Sequence, residues 1–399
     1  SEGGNSVEIL RSGIDETFLQ YHIRQFNRTA VEINGKTWYH VFLEKEGLTL
    51  DEGFPQLPNY NRSIIIGDNS LVKFEIFDVE YQVFDMLVAP SKGLLLREVD
   101  PSDIPYTFNT MYQEDSFYPA DFVSLSEPYI LREFRGITIQ TIPFQFNPQQ
   151  EILRVCTSFK VRIYSDGIDD RNILTTPRSE VSRGFLPIYE NHFLNWDTNR
   201  YTPISDSFGT LLIIYHDTFL DAITPYFSWK RQKGIPTILL PFSSVGTTAA
   251  QLQTYIQNYY TTNPNLTFVQ IVGDHNHIPT LFESGGGADP RFSLVAGSDN
   301  YPDIFIGRFS ASDAADVTAQ VNKVITYEKI LGSTATWPRR ATGIASAEGP
   351  GDNGEYDWEH MNFIRDDLIA YGYTTVDQIY DPGATAAQVT TAITNGRGF

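Results

Sequence analysis

The chain has 399 residues, which exceeds the usual length of one domain (about 100–200 residues), so we expect two domains. Its 29 Lys and Arg residues against 49 Asp and Glu residues give a formal net charge of −20, which argues against nucleic acids and anionic membranes as partners. Aromatic residues make up 14% of the sequence, a proportion typical of a folded protein. The single cysteine, Cys156, excludes a disulfide framework within this chain and any C-x-x-C motif.

Residues 1 to about 165 are predicted to form mainly β-structure. Short apolar runs separated by turns rich in Pro, Gly and Asn indicate strands, and helix-length periodicity is hard to find. The predicted strands are residues 63–66, 71–77, 81–88, 137–142 and 155–164. We therefore expect a β-rich N-terminal domain.

From Gly209 onward, apolar strands alternate with amphipathic helices, which predicts a doubly wound, mainly parallel sheet. The predicted strands are residues 210–215, 237–240, 268–272, 304–307, 343–346 and 375–380, and the predicted helices are residues 219–232, 248–260, 312–331, 356–370 and 385–395. The last helix should lead into another strand, so we expect the chain to end inside this second domain.

The domain boundary is predicted near residue 200, after a polar, turn-rich segment at residues 166–200. Arg200 directly precedes Tyr201, and an exposed basic residue in such a segment is open to proteolytic cleavage. The alternative is an ordinary linker.

Polar residues that flank strand ends are the first candidates for a site, because open α/β sheets bind ligands at the carboxyl ends of their strands. Asp299 and Asp303, with the carbonyl of Tyr301 between them, alternate in the manner of a calcium loop, and a polar turn is the alternative. Asp274 would strengthen the calcium hypothesis only if its strand pairs with the strand after Asp303. Zinc held by His275 and His277 is a less favoured alternative, because this loop offers no third ligand.

Two further carboxylates stand near the predicted strand at 343–346. Glu348 could orient a catalytic base or could be an ordinary loop carboxylate. Asp357 lies in the first turn of a predicted helix, where the helix dipole alone favours an acid, but it could also bind a basic substrate side chain such as arginine. The motifs G-x-x-x-x-G-K-[ST], G-x-S-x-G and H-E-x-x-H are absent, and Cys156 is predicted to be a buried, inert thiol.

The sequence resembles the gingipain family of secreted cysteine peptidases, most closely its arginine-specific members. The segments APSKG (89–93), PYILR (128–132) with residues 135–136, and FQFNP (144–148) are similar to the family's β-rich inhibitory prodomain. The segments VGDH (272–275), FIGRF (305–309), IASAEG (344–349) and YDPG (380–383) are similar to its catalytic domain. The resemblance covers most of the chain and implies a caspase-like α/β fold for the second domain.

The resemblance also implies a zymogen, with residues 1–200 as prodomain and linker and residues 201–399 as the N-terminal part of the peptidase domain. It implies activation by cleavage between Arg200 and Tyr201, and it assigns Arg97 as a pseudo-substrate that occupies the specificity pocket. A surface arginine is the alternative for Arg97. The prodomain itself is then the inhibitor, and proteins or peptides are the substrates.

For the peptidase domain, the resemblance assigns Glu348 to support of the catalytic histidine and Asp357 to the base of a pocket for arginine. It places the histidine and the nucleophilic cysteine downstream of Phe399, so this chain alone would lack both. It assigns a calcium site to the side chains and carbonyls of the following residues: Asp274, Ala296, Asp299, Tyr301 and Asp303.

The expected protein is therefore a secreted, calcium-stabilised cysteine endopeptidase that cleaves after arginine. The resemblance places it outside a bacterial cell or on its surface, after export across an outer membrane. No apolar run approaches the roughly 20 residues of a membrane span. Two alternatives stay open: a non-catalytic calcium-binding surface protein on the same scaffold, and a sortase-like transpeptidase of the same superfamily.

Overall fold

The structure, a computed structural model, describes residues 4–96, 99–175, 180–197, 203–330, 335–349 and 355–398. Arg97, Arg200 and Tyr201, the predicted pseudo-substrate and processing residues, lie outside these ranges. Within them, no helix has both the length and the apolar character that crossing a membrane requires.

The N-terminal region is β-rich, as predicted. Its strands are β1 (Ser6–Ser12), β2 (Glu16–His22), β3 (Asn27–Ile33), β4 (Lys36–Phe42), β5 (Gly47–Leu48), β6 (Pro58–Ile65), β7 (Ser70–Asp85), β8 (Val123–Leu125), β9 (Tyr129–Leu131), β10 (Phe134–Thr141), β11 (Phe144–Asn147) and β12 (Ile152–Ile168). One helix, α1 (Leu186–His192), follows them.

Two five-stranded sheets share one hydrophobic core in this region. The first sheet has the order β1-β2-β12-β11 with β7 also on β12, and the second has the order β5-β6-β10-β8 with β9 also on β10. Tyr21 and Phe159 of the first sheet stack with their ring centroids 4.5 Å apart, and both side chains are fully buried. Ile64 and Ile139 of the second sheet belong to the same core, so the region folds around one apolar interior.

Strand β7 runs through the point where the sequence predicted a turn. Residues 71–77 and 81–88 were predicted as two strands, whereas Ser70–Asp85 is one strand along β12. Phe77 pairs with Lys160 and Glu80 pairs with Ser158, so two residues of β7 oppose the single Phe159. Asp78 has a φ of 52° within this β-bulge. The residues that were predicted as a turn therefore form a bulge inside one continuous strand.

Part of the segment predicted as a polar linker is a packed element. Phe185, Tyr189 and Phe193 of the stretch around α1 are buried. They pack against Phe134 of the N-terminal region and against Phe305 of the following region. This stretch therefore joins the two regions through aromatic contacts.

The second region begins with a parallel sheet, as predicted. The elements in chain order are β13 (Thr210–Tyr215), α2 (Leu220–Gln232), β14 (Thr237–Pro241), α3 (Ala249–Thr262), β15 (Leu266–Val272), the small hairpin β16 (Phe282–Glu283) and β17 (Gly286–Gly287), β18 (Phe305–Phe309) and α4 (Ala314–Ile330). Strands β14, β13, β15 and β18 pair in this order, all parallel. Helix α3 covers one face, and helices α2 and α4 cover the other.

The last two strands do not extend that sheet, although a single sheet was expected. The remaining elements are β19 (Arg340–Ala345), α5 (Asp357–Tyr371), β20 (Thr375–Tyr380) and α6 (Ala386–Thr394). In the part of the chain that the structure describes, β19 and β20 pair with each other, in parallel, as a separate two-stranded sheet. Helix α5 is tied to β20 by Asn362, whose side-chain oxygen accepts hydrogen bonds from Gln378 and Tyr380.

Candidate functional site

The carboxyl end of β19 brings together Glu348 and Asp357, the two predicted peptidase residues. The hydroxyl of Ser346 donates a hydrogen bond to the Asp357 carboxylate, with 2.5 Å between Oγ and Oδ2. The N–H of Glu348 donates to the same hydroxyl oxygen over 3.1 Å, and the N–H of Asp357 donates to the Glu348 carbonyl over 3.0 Å. Ser346, Glu348 and Asp357 thus form one hydrogen-bonded turn, which we call the β19 turn.

Asp357 is the first residue of α5 and is half-buried. The backbone N–H at the helix start, that of Tyr356, donates to the side chain of Glu359 over 2.9 Å. Glu359 therefore supplies the side-chain half of a capping box, while the Asp357 carboxylate is held by Ser346. Helix-terminal charge stabilisation still favours an acid here, and the Ser346 contact fixes where that acid points.

Gly349 sets the tightness of the β19 turn. Its φ is 123°, and a Cβ at this position would lie 2.8 Å from Tyr356 Cα and 2.9 Å from the Glu355 carbonyl oxygen. Only glycine tolerates both the conformation and the close approach. The side chain of Glu348, next to this glycine, is exposed to solvent.

Asp274 follows β15 at the carboxyl edge of the four-stranded sheet. Its carboxylate accepts a hydrogen bond from the N–H of Asn276 and lies 2.9 Å from Nδ1 of His277. The hydrogen bond with His277 holds the pKa of Asp274 below its ordinary value. The ring of His277 packs against that of His216, with centroids 4.7 Å apart. Across the described ranges, no group of three or more His, Cys, Asp or Glu side chains is placed to hold a metal ion.

Asp299 and Asp303 lie at the opposite, amino edge of that sheet. The Asp303 side chain is fully buried, and its Oδ2 accepts hydrogen bonds from the N–H groups of Val295 and Ala296 over 3.0 and 2.7 Å. Asp299 Oδ1 accepts a hydrogen bond from the N–H of Tyr301 over 2.9 Å. Burial raises the pKa of Asp303 to about 7 and also raises that of Asp299.

The N-terminal region supplies further donors to these two carboxylates. The N–H of Ile130 donates to Asp299 Oδ2, and the N–H of Arg132 donates to Asp303 Oδ1, each over 2.8 Å. The sequence analysis placed Ile130 and Arg132 in a prodomain-like segment but assigned them no contact. No local signal in that segment indicates a partner some 170 residues away.

The five predicted calcium ligands do not converge on one point. Strands β15 and β18 do pair, but in parallel, so Phe268 lies beside Phe305 and Val272 beside Phe309. Asp274 follows one strand and Asp303 precedes the other, which separates them by on the order of 20 Å along the strands. The inclusion of Asp274 in this ligand set was therefore wrong.

The other four residues, Ala296, Asp299, Tyr301 and Asp303, lie on one short loop. The chemistry of this loop fits calcium, because it carries a fully buried carboxylate, a half-buried carboxylate and backbone carbonyl groups, and calcium prefers such hard oxygen ligands. Besides burial, the nearby Asp299 carboxylate raises the pKa of Asp303, and two acids this close together are expected to attract a cation.

The fold and the β19 turn define a two-region protein, in which a β-rich unit packs on an α/β unit that carries two acidic residues in a turn at a strand end. Residues 2–193 match Propeptide_C25, and residues 205–399 match Peptidase family C25. The chain therefore belongs to the gingipain family and carries a C25 propeptide followed by a region of the C25 peptidase.

Curated relatives agree with this assignment. Gingipain R2 of Porphyromonas gingivalis is 34% identical over 98% of this chain and 54% of its own length. Lys-gingipain of the same organism is 24% identical over 82% of this chain and 20% of its own length. This chain thus spans about half the length of the Gingipain R2 sequence that it matches.

Two solved structures are also similar. The complex of Porphyromonas gingivalis RgpB pro- and mature domains matches 48% of this chain and 98% of its own, with 28% identity and a TM-score of 0.45. The Arg-specific cysteine proteinase gingipain R matches 49% of this chain and 47% of its own, with 33% identity and a TM-score of 0.46.

Proposed function

We propose that this chain is part of the zymogen of a secreted cysteine endopeptidase that cleaves after arginine. The observation that carries the proposal is the β19 turn, in which Ser346 holds the half-buried Asp357 carboxylate at a strand end. Support also comes from the C25 matches and from the arginine-specific gingipains among the relatives. A caspase-like arrangement of the second region is part of the same proposal.

In this proposal Asp357 binds the substrate's arginine. A carboxylate can accept two parallel hydrogen bonds from a guanidinium group, a geometry that lysine cannot match. The Ser346 hydroxyl occupies Oδ2 and fixes the rotation of the carboxylate, which orients its remaining lone pairs. This arrangement favours a planar guanidinium over a lysine ammonium group.

Glu348 supports the catalytic histidine, which is proposed to lie with the nucleophilic cysteine downstream of Phe399. The exposed side chain of Glu348 is free to meet an imidazole that approaches from outside the described residues. The histidine activates the thiol, the thiolate attacks the scissile carbonyl, and water then hydrolyses the acyl-enzyme. Cys156 takes no part, because it is fully buried in the N-terminal core and burial raises the pKa of its thiol to about 12.

The N-terminal region is proposed to be the inhibitor of the peptidase, with Arg97 in the specificity pocket and cleavage between Arg200 and Tyr201 as the activating step. Calcium is proposed to bind the loop of Ala296, Asp299, Tyr301 and Asp303, where it would neutralise the buried carboxylate of Asp303 and the half-buried carboxylate of Asp299 and fix the loop. Its proposed role is structural.

Two variants of the full-length, activated protein test the specificity proposal. Asp357→Asn should lower kcat/KM for arginyl substrates by about 100-fold, because it removes a charged hydrogen-bonding partner of the guanidinium. Asp366→Asn, a change at an exposed aspartate on the same helix, is the matched control and should leave kcat/KM unchanged. Equal loss in both variants, or no loss in Asp357→Asn, would contradict the role of Asp357.

The sortase-like alternative predicts a different product. If an added amine competes with water for the acyl-enzyme, the product carries that amine in place of a free carboxylate. Mass analysis of the products separates hydrolysis from transpeptidation. A full-length protein that forms neither product with any peptide would instead support the non-catalytic alternative.

A further inference from the structure

We infer that the side chain of Arg132 is the principal anchor that holds the N-terminal region on the peptidase region. It occupies a cage of backbone carbonyls at the amino edge of the four-stranded sheet, separate from the pocket at Asp357. This inference goes beyond the proposed function, since it concerns binding between the two regions and holds whether or not the protein is a peptidase.

The guanidinium of Arg132 has an acceptor for each of its five N–H groups. Four acceptors belong to the second region: the carbonyls of Leu266 at 2.9 Å, Asp303 at 2.6 Å and Pro264 at 3.4 Å, and the hydroxyl of Thr267 at 3.2 Å. The fifth is the carboxylate of Glu133 at 2.6 Å, which supplies the compensating charge. The side chain is only 2% exposed, so these contacts are made away from water, where unpaired donors would be costly.

The backbone position of Arg132 suits a projecting side chain. Strands β9 and β10 are antiparallel, and Arg132 and Glu133 form the two-residue turn between them. Arg132 has a φ of 54°, a conformation that usually selects glycine, asparagine or aspartate in such turns. A long arginine at this hairpin tip therefore indicates a role for the side chain rather than for the turn.

Two aromatic rings flank the guanidinium of Arg132. The ring of Phe185 lies 4.9 Å from the guanidinium carbon and 4.6 Å from the ring of Phe305 in the second region. The ring of Tyr260, also in the second region, lies 5.7 Å from the same guanidinium carbon. Tyr129 and Tyr301 add a separate stacked contact between the two regions, with ring centroids 3.9 Å apart. A buried arginine ringed by aromatic side chains has the composition of a binding hot spot.

The anchor and the proposed substrate pocket use different parts of the fold. The cage is formed at the amino ends of β15 and β18, whereas the β19 turn follows the carboxyl end of β19. Loss of the anchor should therefore release the N-terminal region without any direct change at Asp357.

The test uses the full-length precursor with a recognition sequence for a foreign, site-specific protease placed within residues 198–202. After cleavage by that protease in calcium-containing buffer, the dissociation rate of the N-terminal region is measured by surface capture, and the products are separated by size exclusion. The variants are Arg132→Lys, which keeps the charge but loses the planar fork, and Thr267→Val, which removes one acceptor from the other side. The control is Arg171→Lys, because Arg171 is half-exposed and its ion pairs with Asp169 and Glu127 stay within the N-terminal region.

We expect Arg132→Lys to raise the dissociation rate by about 100-fold and Thr267→Val by about 10-fold, with no change for Arg171→Lys. In the double variant, the dissociation rate should rise by less than the product of the two single increases, because both substitutions act on the same contact. An unchanged rate in Arg132→Lys overturns the inference, and so does an equal rate increase in Arg171→Lys. If Arg132→Lys prevents folding, as judged by circular dichroism, an unchanged rate in Thr267→Val overturns it instead. If the specificity proposal is wrong, the substrate-cleavage assays will show it, and the dissociation rates of the N-terminal region will not change.

Discussion

The hydroxyl of Ser346 donates a 2.5 Å hydrogen bond to the carboxylate of Asp357 across eleven positions of sequence. The two residues meet because β19 ends directly before Ser346 and α5 begins at Asp357, with Gly349 allowing the intervening chain to fold back. The orientation of the proposed arginine-binding group thus depends on a neutral residue that does not itself recognise the substrate.

Replacement of Ser346 tests this dependence. Ser346→Ala should raise KM for arginyl substrates by about 10-fold with little change in kcat, since it removes a hydrogen bond to a charged group that positions the pocket. Ser346→Thr keeps the hydroxyl and should behave like the wild type. Steady-state kinetics on the activated full-length protein measure both, and an unchanged KM in Ser346→Ala would contradict the positioning role.

The buried ion pair between Arg135 and Asp169 predicts a stability effect within the N-terminal region. Arg135 is fully buried, and its guanidinium also donates to four backbone carbonyls. Asp169→Asn leaves this buried charge without its counter-ion and should lower the free energy of unfolding by about 3 kcal/mol. Asp166→Asn, which breaks the exposed pair with Lys73, should have a much smaller effect on the free energy of unfolding, because solvent screens that pair. Thermal or denaturant unfolding distinguishes them, and equal effects would argue against the buried pair.

The contribution of Asp169 to stability is expected to depend on pH. The hydrogen bond from Arg171, followed by the contact with Arg135, holds the pKa of Asp169 well below its ordinary value. A lowered pKa in the folded state means that the contribution is complete above the ordinary pKa of about 4 and is lost as the pH falls toward the folded value. The difference in melting temperature between the wild type and Asp169→Asn should therefore shrink below about pH 4. A difference that grows as the pH falls would contradict this assignment.

Removal of calcium tests the proposed loop site. Calcium at 100 times its dissociation constant should stabilise the protein by about 2.7 kcal/mol, so a chelator should lower the melting temperature. Asp303→Asn should abolish this calcium-dependent shift, whereas Asp274→Asn should keep it, because Asp274 lies at the other edge of the sheet. The readout is the difference with and without calcium, which corrects for any direct effect of each substitution. A shift lost only in Asp274→Asn would contradict the loop assignment.

Processing is predicted to separate the two regions between Arg200 and Tyr201. N-terminal sequencing of the mature protein should give a chain that begins at Tyr201, and Arg200→Ala should leave the precursor uncleaved. A mature chain that begins elsewhere would place the junction at another residue.

The parallel sheet of the second region was predictable because its strands are short, compact apolar runs, of which the two central ones, β13 and β15, are mostly buried. The N-terminal region was harder, since β3 is largely exposed, β4 is mostly exposed or half-buried, and their sequences lack a clear alternation. Helix α1 could not be predicted from the sequence either, because Phe185, Tyr189 and Phe193 are buried by contacts with residues far away in the chain.

In the candidate site, too, the features that depend on contacts between distant residues could not be predicted. Glu348 and Asp357 could be predicted because both lie close in sequence to the end of one strand. The separation of Asp274 from Asp303 depends on the direction of two paired strands, which the residues near each aspartate do not encode. The role of Arg132 depends on carbonyl groups of a distant strand, and since every residue has a backbone carbonyl, a sequence does not indicate which of them bind a side chain.

The central claim is cleavage after arginine, and the most direct test is a peptide panel with the activated full-length protein. The panel varies only the residue before the scissile bond, with Arg, Lys, citrulline and Leu at that position. The account predicts kcat/KM for Arg at least about 100-fold above that for citrulline, which keeps the shape but lacks the charge. Comparable cleavage of the Arg and citrulline peptides, or a preference for Lys or Leu, would contradict it.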